Sequence, residues 1–309
     1  MAAGFLGFLL GGHFEEGVFL KTCILVSVWP DYSWLLPILE DMLDRFWPRH
    51  PEIVCTRKID DGRNWTKNLK SGVEAASEKG FEAVFLINEE HVPIGNCDAA
   101  YLEKVLPSLA KNLGAAYVSL FGWDNKRYCS KSPIIQAQNG GWMHLVGDCD
   151  PRFHLHPAWW RLDALEACCE LVLKDEGANG SAWHFEKVCD DFDADLPKDF
   201  QEGCYQICAG ASRSQALSSA EMKVRLARRW VANKAMAIVP HLPQAFFRDS
   251  WLKFCKFDDV VSDGPYPMVF SGILAKGRIN STFLKFCTAN IQMGEWLLRI
   301  RSNTKGASC

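Results

Sequence analysis

The chain has 309 residues, of which 48% are hydrophobic and 23% are charged, a balance typical of a globular protein. This length is sufficient for one large α/β domain. The net charge of −3 creates no positive field, so nucleic acid is not expected as a partner. The thirteen cysteines include no CxxC pair, which argues against both a zinc ribbon and a secreted disulfide framework. We therefore predict reduced thiols and a cytoplasmic location.

The amino terminus is apolar. Its first twelve residues, MAAGFLGFLLGG, are too few to span a bilayer and have no basic flank. One interpretation is a weak signal or anchor segment, which would associate the protein with a membrane. The other, which we adopt for residues 1–21, is an extension that folds on the body of the protein. No other stretch reaches membrane length, so we expect no transmembrane helix.

Residues 22–125 alternate between short apolar runs and segments of helical periodicity. The pattern predicts strands at residues 22–29, 53–56, 83–87 and 116–121, and helices at 33–47, 65–77 and 101–112. The first run is nearly continuous in apolar residues, which is typical of a strand buried on both faces. Strands that alternate with helices predict a mainly parallel sheet flanked by helices, an α/β fold.

After residue 125 the pattern is less regular. It predicts strands at 143–146, 154–156 and 205–208, and helices at 162–174, 183–188 and 218–239. No internal repeat is evident. We therefore predict a single domain over residues 22–309, divided into halves of about 22–125 and 126–309, with C-terminal helical additions.

The third predicted strand runs directly into two carboxylates, Glu89 and Glu90, followed by His91. In open α/β sheets, ligands bind beyond the carboxyl ends of the strands. Oxygen ligands suit Mg²⁺ or Mn²⁺, and a bound cation would offset the charge of a departing nucleoside diphosphate. We therefore predict a metal site at Glu89, Glu90 and His91. The structural alternative is a solvated loop.

Several further stretches are distinctive, and their order along the chain matters. They are WPDYSW (29–34), FWP (46–48), WTKNLKSG (65–72), HLHPAWW (154–160), SAWHFE (181–186) and FSGILAKGR (270–278). Together with the acidic pair, they resemble GT-A-type nucleotide-sugar glycosyltransferases. They are most similar to the capsule and lipopolysaccharide-type transferases of microbes and large viruses.

This resemblance implies a GT-A-like sheet and a glycosyltransferase activity. The enzyme would move a sugar from a UDP- or GDP-sugar to a carbohydrate acceptor in glycan synthesis, with Mn²⁺ or Mg²⁺ at the donor diphosphate. Residues 22–125 would bind the nucleotide-sugar and residues 126–309 the acceptor.

The chain departs from the family pattern in two places. The family usually has an Asp pair followed by an aromatic residue where this chain has Glu89, Glu90 and His91, and residues 204–262 have no counterpart. An alternative is therefore a catalytically decayed GT-A fold that serves as a sugar-binding or scaffold protein.

The resemblance also implies residues that contact the donor. They are Asp31, Asp61, Arg63, Glu89, Lys276 and Arg278. The loop after the second strand commonly meets the nucleoside in this fold, which assigns Asp61 to the ribose or base. Lys276 and Arg278 lie in a glycine-bracketed segment, where cations can approach a diphosphate. Polar turns are the structural alternative for both segments.

The catalytic and acceptor residues come from the second half. The resemblance implies that Glu186, in SAWHFE, is the general base that deprotonates the acceptor hydroxyl, with Asp190 and Asp191 as the nearest substitutes. A helix N-terminal acid stabilised by the helix dipole is the alternative for Glu186. His156, Trp159 and Trp183 are predicted to line an acceptor cleft, since indole rings stack on the apolar faces of sugars. For Trp159, core packing is the alternative.

Overall fold

The structure is a computed structural model, and the description below covers only part of the chain. The described residues are 20–59, 62–120, 134–136, 142–145, 153–175, 180–191, 195–207, 227, 267–275, 278–280, 283–284, 295–296, 298 and 300. Asp61, Lys276 and nearly all of the predicted helix at 218–239 lie outside these residues.

Strands and helices alternate through the first part of the chain, as the sequence predicts. The strands are β1 (Thr22–Ser27), β2 (Ile53–Cys55), β3 (Ala83–Asn88), β4 (His91–Pro93), β5 (Tyr117–Ser119), β6 (Ile134–Gln136), β7 (Trp142–Leu145), β8 (Ala158–Arg161), β9 (Cys204–Ile207), β10 (Phe270–Gly272), β11 (Leu274–Ala275) and β12 (Arg278–Ile279). The α-helices are α1 (Leu36–Phe46), α2 (Trp65–Glu78), α3 (Leu106–Asn112), α4 (Leu162–Lys174), α5 (Ala182–Asp191) and α6 (Lys198–Glu202). A 3₁₀ helix (Pro30–Leu35) precedes α1, and a π-helical turn (Tyr101–Val105) precedes α3.

The main sheet has eight strands in the order β2-β1-β3-β8-β5-β9-β7-β6. Strand β1 is parallel to both β2 and β3, and β5 is parallel to β9. Strand β8 runs antiparallel between β3 and β5, and β7 runs antiparallel between β9 and β6. All strands of this sheet except β7 and β8 therefore point the same way. The predicted α/β class, a mainly parallel sheet flanked by helices, is confirmed.

Both faces of β1 are buried, which explains the apolar run from Cys23 to Val26. Ile24 and Val26 pack in a core with α1 and α3, whereas Cys23 and Leu25 pack in a second core with α2, α4 and α5. The two sets alternate because successive side chains of a strand point to opposite faces. The sheet is thus a middle layer between two layers of helices.

Helix α2 packs unusually close to the sheet. A Cβ atom at Gly72 would lie 2.7 Å from Leu25 Cδ1 and 2.8 Å from Thr56 Cγ2, so only glycine fits there. The helix begins at Asn64, whose side chain accepts a hydrogen bond from Lys67 N–H at 2.9 Å. The WTKNLKSG stretch therefore encodes a cap and a close helix–sheet contact.

One predicted strand is wrong. Residues 154–156 do not form a strand, because β8 begins only at Ala158. The backbone of Leu155 is instead bonded to the side chains of Asn88 and Glu186, and Pro157 has no N–H to offer a neighbouring strand.

The seven cysteines that the structure describes are all free thiols. No helix within the described residues combines the length and the apolar character needed to cross a membrane.

Candidate functional site

The order of the first strands creates a reversal point in the sheet. Helix α1 leads from β1 to β2 on one side, and α2 then leads back past β1 to β3 on the other. In open α/β sheets, ligands bind at such a reversal, in the crevice beyond the carboxyl ends of the two strands. In this chain that position lies beyond β1 and β3. We call this position the switch crevice; residues 28–31 follow β1 there, and the acidic pair, Glu89 and Glu90, follows β3.

Glu89 connects the end of β3 to the segment after β1. Its Oε1 accepts a hydrogen bond from Trp29 N–H at 3.0 Å, and its own N–H donates to Ser27 O at 3.2 Å. Only 4% of Glu89 is exposed. Burial raises its pKa to about 8, and the neighbouring charge of Glu90 acts in the same direction. Glu89 is therefore an anchor for the backbone after β1.

Glu90 and His91 lie at the edge of the same crevice. The side chain of Glu90 is 34% exposed, and its Oε1 lies 3.8 Å from His91 Nε2. His91 is buried, which lowers its pKa well below the ordinary value, and His156 contributes in the same direction. His91 is therefore neutral at physiological pH, the form in which imidazole binds metals.

The predicted metal ligands are neighbours, yet they do not form a ready-made centre. No group of three or more His, Cys, Asp or Glu side chains is arranged to hold a metal ion in the part of the chain that the structure describes. Glu90 is the more exposed of the two carboxylates, and Glu89 already accepts a backbone hydrogen bond. A metal role for Glu89, Glu90 and His91 stays a prediction.

A late segment of the chain lies against the acidic pair. Strand β10 is antiparallel to β4, with Gly272 opposite His91, and Ile273 N–H donates to Glu90 O at 2.7 Å. Arg278 lies in β12, which pairs with β11. The FSGILAKGR stretch is thus brought to Glu90 from about 180 positions away in the sequence.

The loop after β2 also meets the switch crevice. Thr56 Oγ1 accepts a hydrogen bond from Val28 N–H at 2.9 Å. Gly62 has a φ of +76° and packs so closely on Pro30 that a Cβ atom would lie 2.7 Å from Pro30 Cγ. Asp31 and Arg63, both predicted donor contacts, are exposed on either side of this junction.

The first backbone N–H groups after β1 are already used within the protein. Val28 N–H donates to Thr56 and Trp29 N–H donates to Glu89. In many α/β folds such groups bind phosphate. In this structure they are engaged by side chains, so an anionic ligand in the switch crevice would need charge from cationic side chains or from a metal.

The histidine segment, Phe153–Pro157, forms another wall. Asn88 Nδ2 donates to Leu155 O at 3.0 Å, and Leu155 N–H donates to Glu186 Oε1 at 2.6 Å. This arrangement stacks the half-buried ring of His156 on His91, with centroids 5.4 Å apart and planes inclined by 3°. The structure thus brings Glu186 and His156 to the same sheet edge as the acidic pair.

The other predicted acceptor and catalytic residues have different positions. Trp159 is fully buried in the core of the sheet, which is the alternative that the sequence left open, and it offers no surface to a sugar ring. Trp183 is 82% exposed in the first turn of α5. Asp190 lies in the last turn of that helix, and its side chain is outside the described part of the structure.

Sequence reasoning missed the residues that hold the crevice together. Thr56 and Asn88 are the polar residues at the ends of β2 and β3, and both bond to backbone on neighbouring segments. Their signal is a polar residue that ends an apolar run, a pattern that solvated loops share. Comparison with models of protein families and with curated protein sequences gave no match for this chain.

Proposed function

We propose that the protein is a GT-A-type glycosyltransferase that moves a sugar from a UDP- or GDP-sugar to a carbohydrate acceptor. One observation carries the proposal: the acidic pair follows β3 at the reversal point of the sheet, where the loops after β1 and β2 also meet. The resemblance of the other six ordered stretches to that family is the independent support.

The donor would bind in the switch crevice. Glu90 is the carboxylate best exposed to a divalent cation, with Glu89 and neutral His91 beside it. Mn²⁺ or Mg²⁺ at these residues would supply positive charge to the diphosphate. The predicted cations for that group are Lys276 and Arg278. Asp61 is the predicted contact to the nucleoside, and Asp31 and Arg63 are further predicted contacts to the donor.

The chemistry then requires a base on the acceptor side. The acceptor oxygen attacks the anomeric carbon, the bond from that carbon to the diphosphate breaks, and the base takes the hydroxyl proton. Glu186 is our candidate base, because its hydrogen bond to Leu155 brings it to the wall that contains His156. Trp183, exposed on the same helix, offers an apolar face to the acceptor sugar.

A screen of donors tests the proposal without knowledge of the acceptor. The protein is incubated with a panel of UDP- and GDP-sugars and Mn²⁺, and release of the nucleoside diphosphate is followed. We expect slow hydrolysis of one donor class, because water can replace the acceptor. The proposal would be overturned if the protein neither binds nor hydrolyses any of these donors.

A second candidate is a sugar-binding or scaffold protein on a decayed fold. The observation that favours it is the buried position of Glu89, whose pKa of about 8 keeps it largely protonated at neutral pH. A protonated acid is a poor metal ligand. Calorimetry with UDP and GDP in the presence of Mn²⁺ separates the two candidates, since the scaffold should bind neither nucleotide.

A further inference from the structure

Asn68, on α2, joins the two described ends of the loop that follows β2. Its Oδ1 accepts a hydrogen bond from Ile59 N–H at 2.9 Å, and its Nδ2 donates to Gly62 O at 2.9 Å. The side chain is buried, with only 2% of the residue exposed. The single side-chain amide of Asn68 thus satisfies a backbone donor before positions 60 and 61, at Ile59, and a backbone acceptor after them, at Gly62.

Ser71 reinforces the same contact one helical turn later. Its Oγ accepts a hydrogen bond from Arg57 N–H at 3.0 Å, and it lies 3.1 Å from Arg57 O and 2.6 Å from Asn68 O. Residues three apart share one face of a helix, so Asn68 and Ser71 hold the loop together. The rest of α2 is held by its apolar side chains, such as Leu69 and Val73.

The bonded loop borders the switch crevice directly. Gly62, whose carbonyl Asn68 holds, packs against Pro30 immediately after β1. Arg63 follows it and is exposed. The direction of the Asn68 amide therefore determines where this edge of the crevice lies relative to the segment after β1.

We infer that Asn68 is a positioning residue, which fixes Ile59 and Gly62 at the edge of the switch crevice where the nucleoside part of the donor would bind. The inference rests on the proposed function. A buried amide in a helix is unfavourable unless both its ends are bonded, and here both ends bond to the loop and neither serves the helix itself. Asn68 contacts no substrate in this account and acts only through Ile59 and Gly62.

The test compares Asn68→Ala with Asn64→Ala. The second variant removes the hydrogen bond to Lys67 N–H that caps the same helix, and it leaves both bonds of Asn68 intact. The readouts are hydrogen exchange of the Ile59 amide, calorimetric affinity for UDP or GDP with Mn²⁺, and donor kcat and KM. For Asn68→Ala we expect faster exchange at Ile59 and donor Kd and KM raised about tenfold, with kcat within about twofold.

Asn64→Ala should destabilise the protein and leave exchange at Ile59, nucleotide affinity and KM near their wild-type values. The inference is overturned if Asn68→Ala binds nucleotide as the wild type does, or if both variants weaken binding equally. A wild-type protein that binds neither nucleotide overturns the proposed function, and the inference falls with it. Unchanged exchange at Ile59 in Asn68→Ala overturns the inference alone, because that readout needs no nucleotide.

Discussion

The two sides of the switch crevice are built with different chemistry. On the side of the β2 loop, neutral side chains of α2 bond to backbone groups, as Asn68 does with Ile59 and Gly62. On the side of the acidic pair, the backbone is bonded to a buried ionisable group, because Glu89 accepts a hydrogen bond from Trp29 N–H. The first side should be insensitive to pH, whereas the geometry of the second depends on protonation. The difference separates a side whose hydrogen bonds carry no ionisable group from a side whose charge can change with pH or with a bound metal.

The largest expected effect is on turnover, at Glu186. A base acts only as the new bond forms, so Glu186→Gln should transfer sugar at least about a hundredfold more slowly with unchanged donor affinity. The amide oxygen of glutamine can still accept from Leu155 N–H, which preserves the histidine segment. Initial rates and calorimetry on the same preparation check this.

Near-normal transfer by Glu186→Gln would remove Glu186 from the mechanism and direct attention to Asp190 or Asp191. Parallel losses of turnover and donor affinity would make Glu186 a binding residue. Either result would contradict the assignment of Glu186 to the chemical step.

A pH dependence of stability should appear on the acidic side only. The pKa of Glu89 is about 8 in the folded protein, against an ordinary value of 4.5, so the folded state binds the proton more tightly. The contribution is therefore fully present below about pH 4.5 and is lost as the pH rises through about 8. Glu89→Gln cannot titrate, so the wild type should lose stability relative to this variant over that interval.

Urea unfolding at pH 5 and pH 8, with a chelator present, measures this difference. The lowered pKa of His91 affects both proteins, so its contribution largely cancels in the comparison. Asn68→Ala is the matched control, because its difference from the wild type should be the same at both pH values. A constant difference for Glu89→Gln would contradict the proposed role of protonation.

The smallest expected effect is at Trp183. Its indole is 82% exposed, so Trp183→Ala should leave the unfolding free energy within about 0.5 kcal/mol of the wild-type value. Loss of a stacking surface should raise the acceptor KM by an amount equivalent to about 0.5–1.5 kcal/mol, by analogy with aromatic pairs. Steady-state kinetics at saturating donor measures it. An unchanged acceptor KM would show that Trp183 does not contact the acceptor.

The sequence predicts the region before residue 120 well, because its signals are local. The apolar run of β1 and the cap and glycine of α2 each determine nearby structure, and β3 leads directly to the acidic pair. Burial of Trp159 also had a local signal, since Ala158, Trp159 and Trp160 form an apolar run like that of β1.

The walls of the crevice were not predictable in the same way. The backbone of Leu155 is bonded to the side chains of Asn88 and Glu186, which are 67 and 31 residues away in the sequence. These hydrogen bonds take the place of the strand predicted at residues 154–156. The pairing of β4 with β10 is equally distant in sequence. Long-range pairs of this kind leave no periodic signal in a single sequence, so they appear only in the folded structure.

The central claim is that the acidic pair binds a metal–nucleotide, and a titration tests it most directly. UDP and GDP are titrated into the wild type and Glu90→Gln by calorimetry, with and without Mn²⁺. We expect the wild type to bind one nucleotide more tightly with Mn²⁺, and loss of one carboxylate to cost about 1–3 kcal/mol of the Mn²⁺-dependent binding. Identical titration curves for the two proteins, or no binding of either nucleotide, would contradict the account.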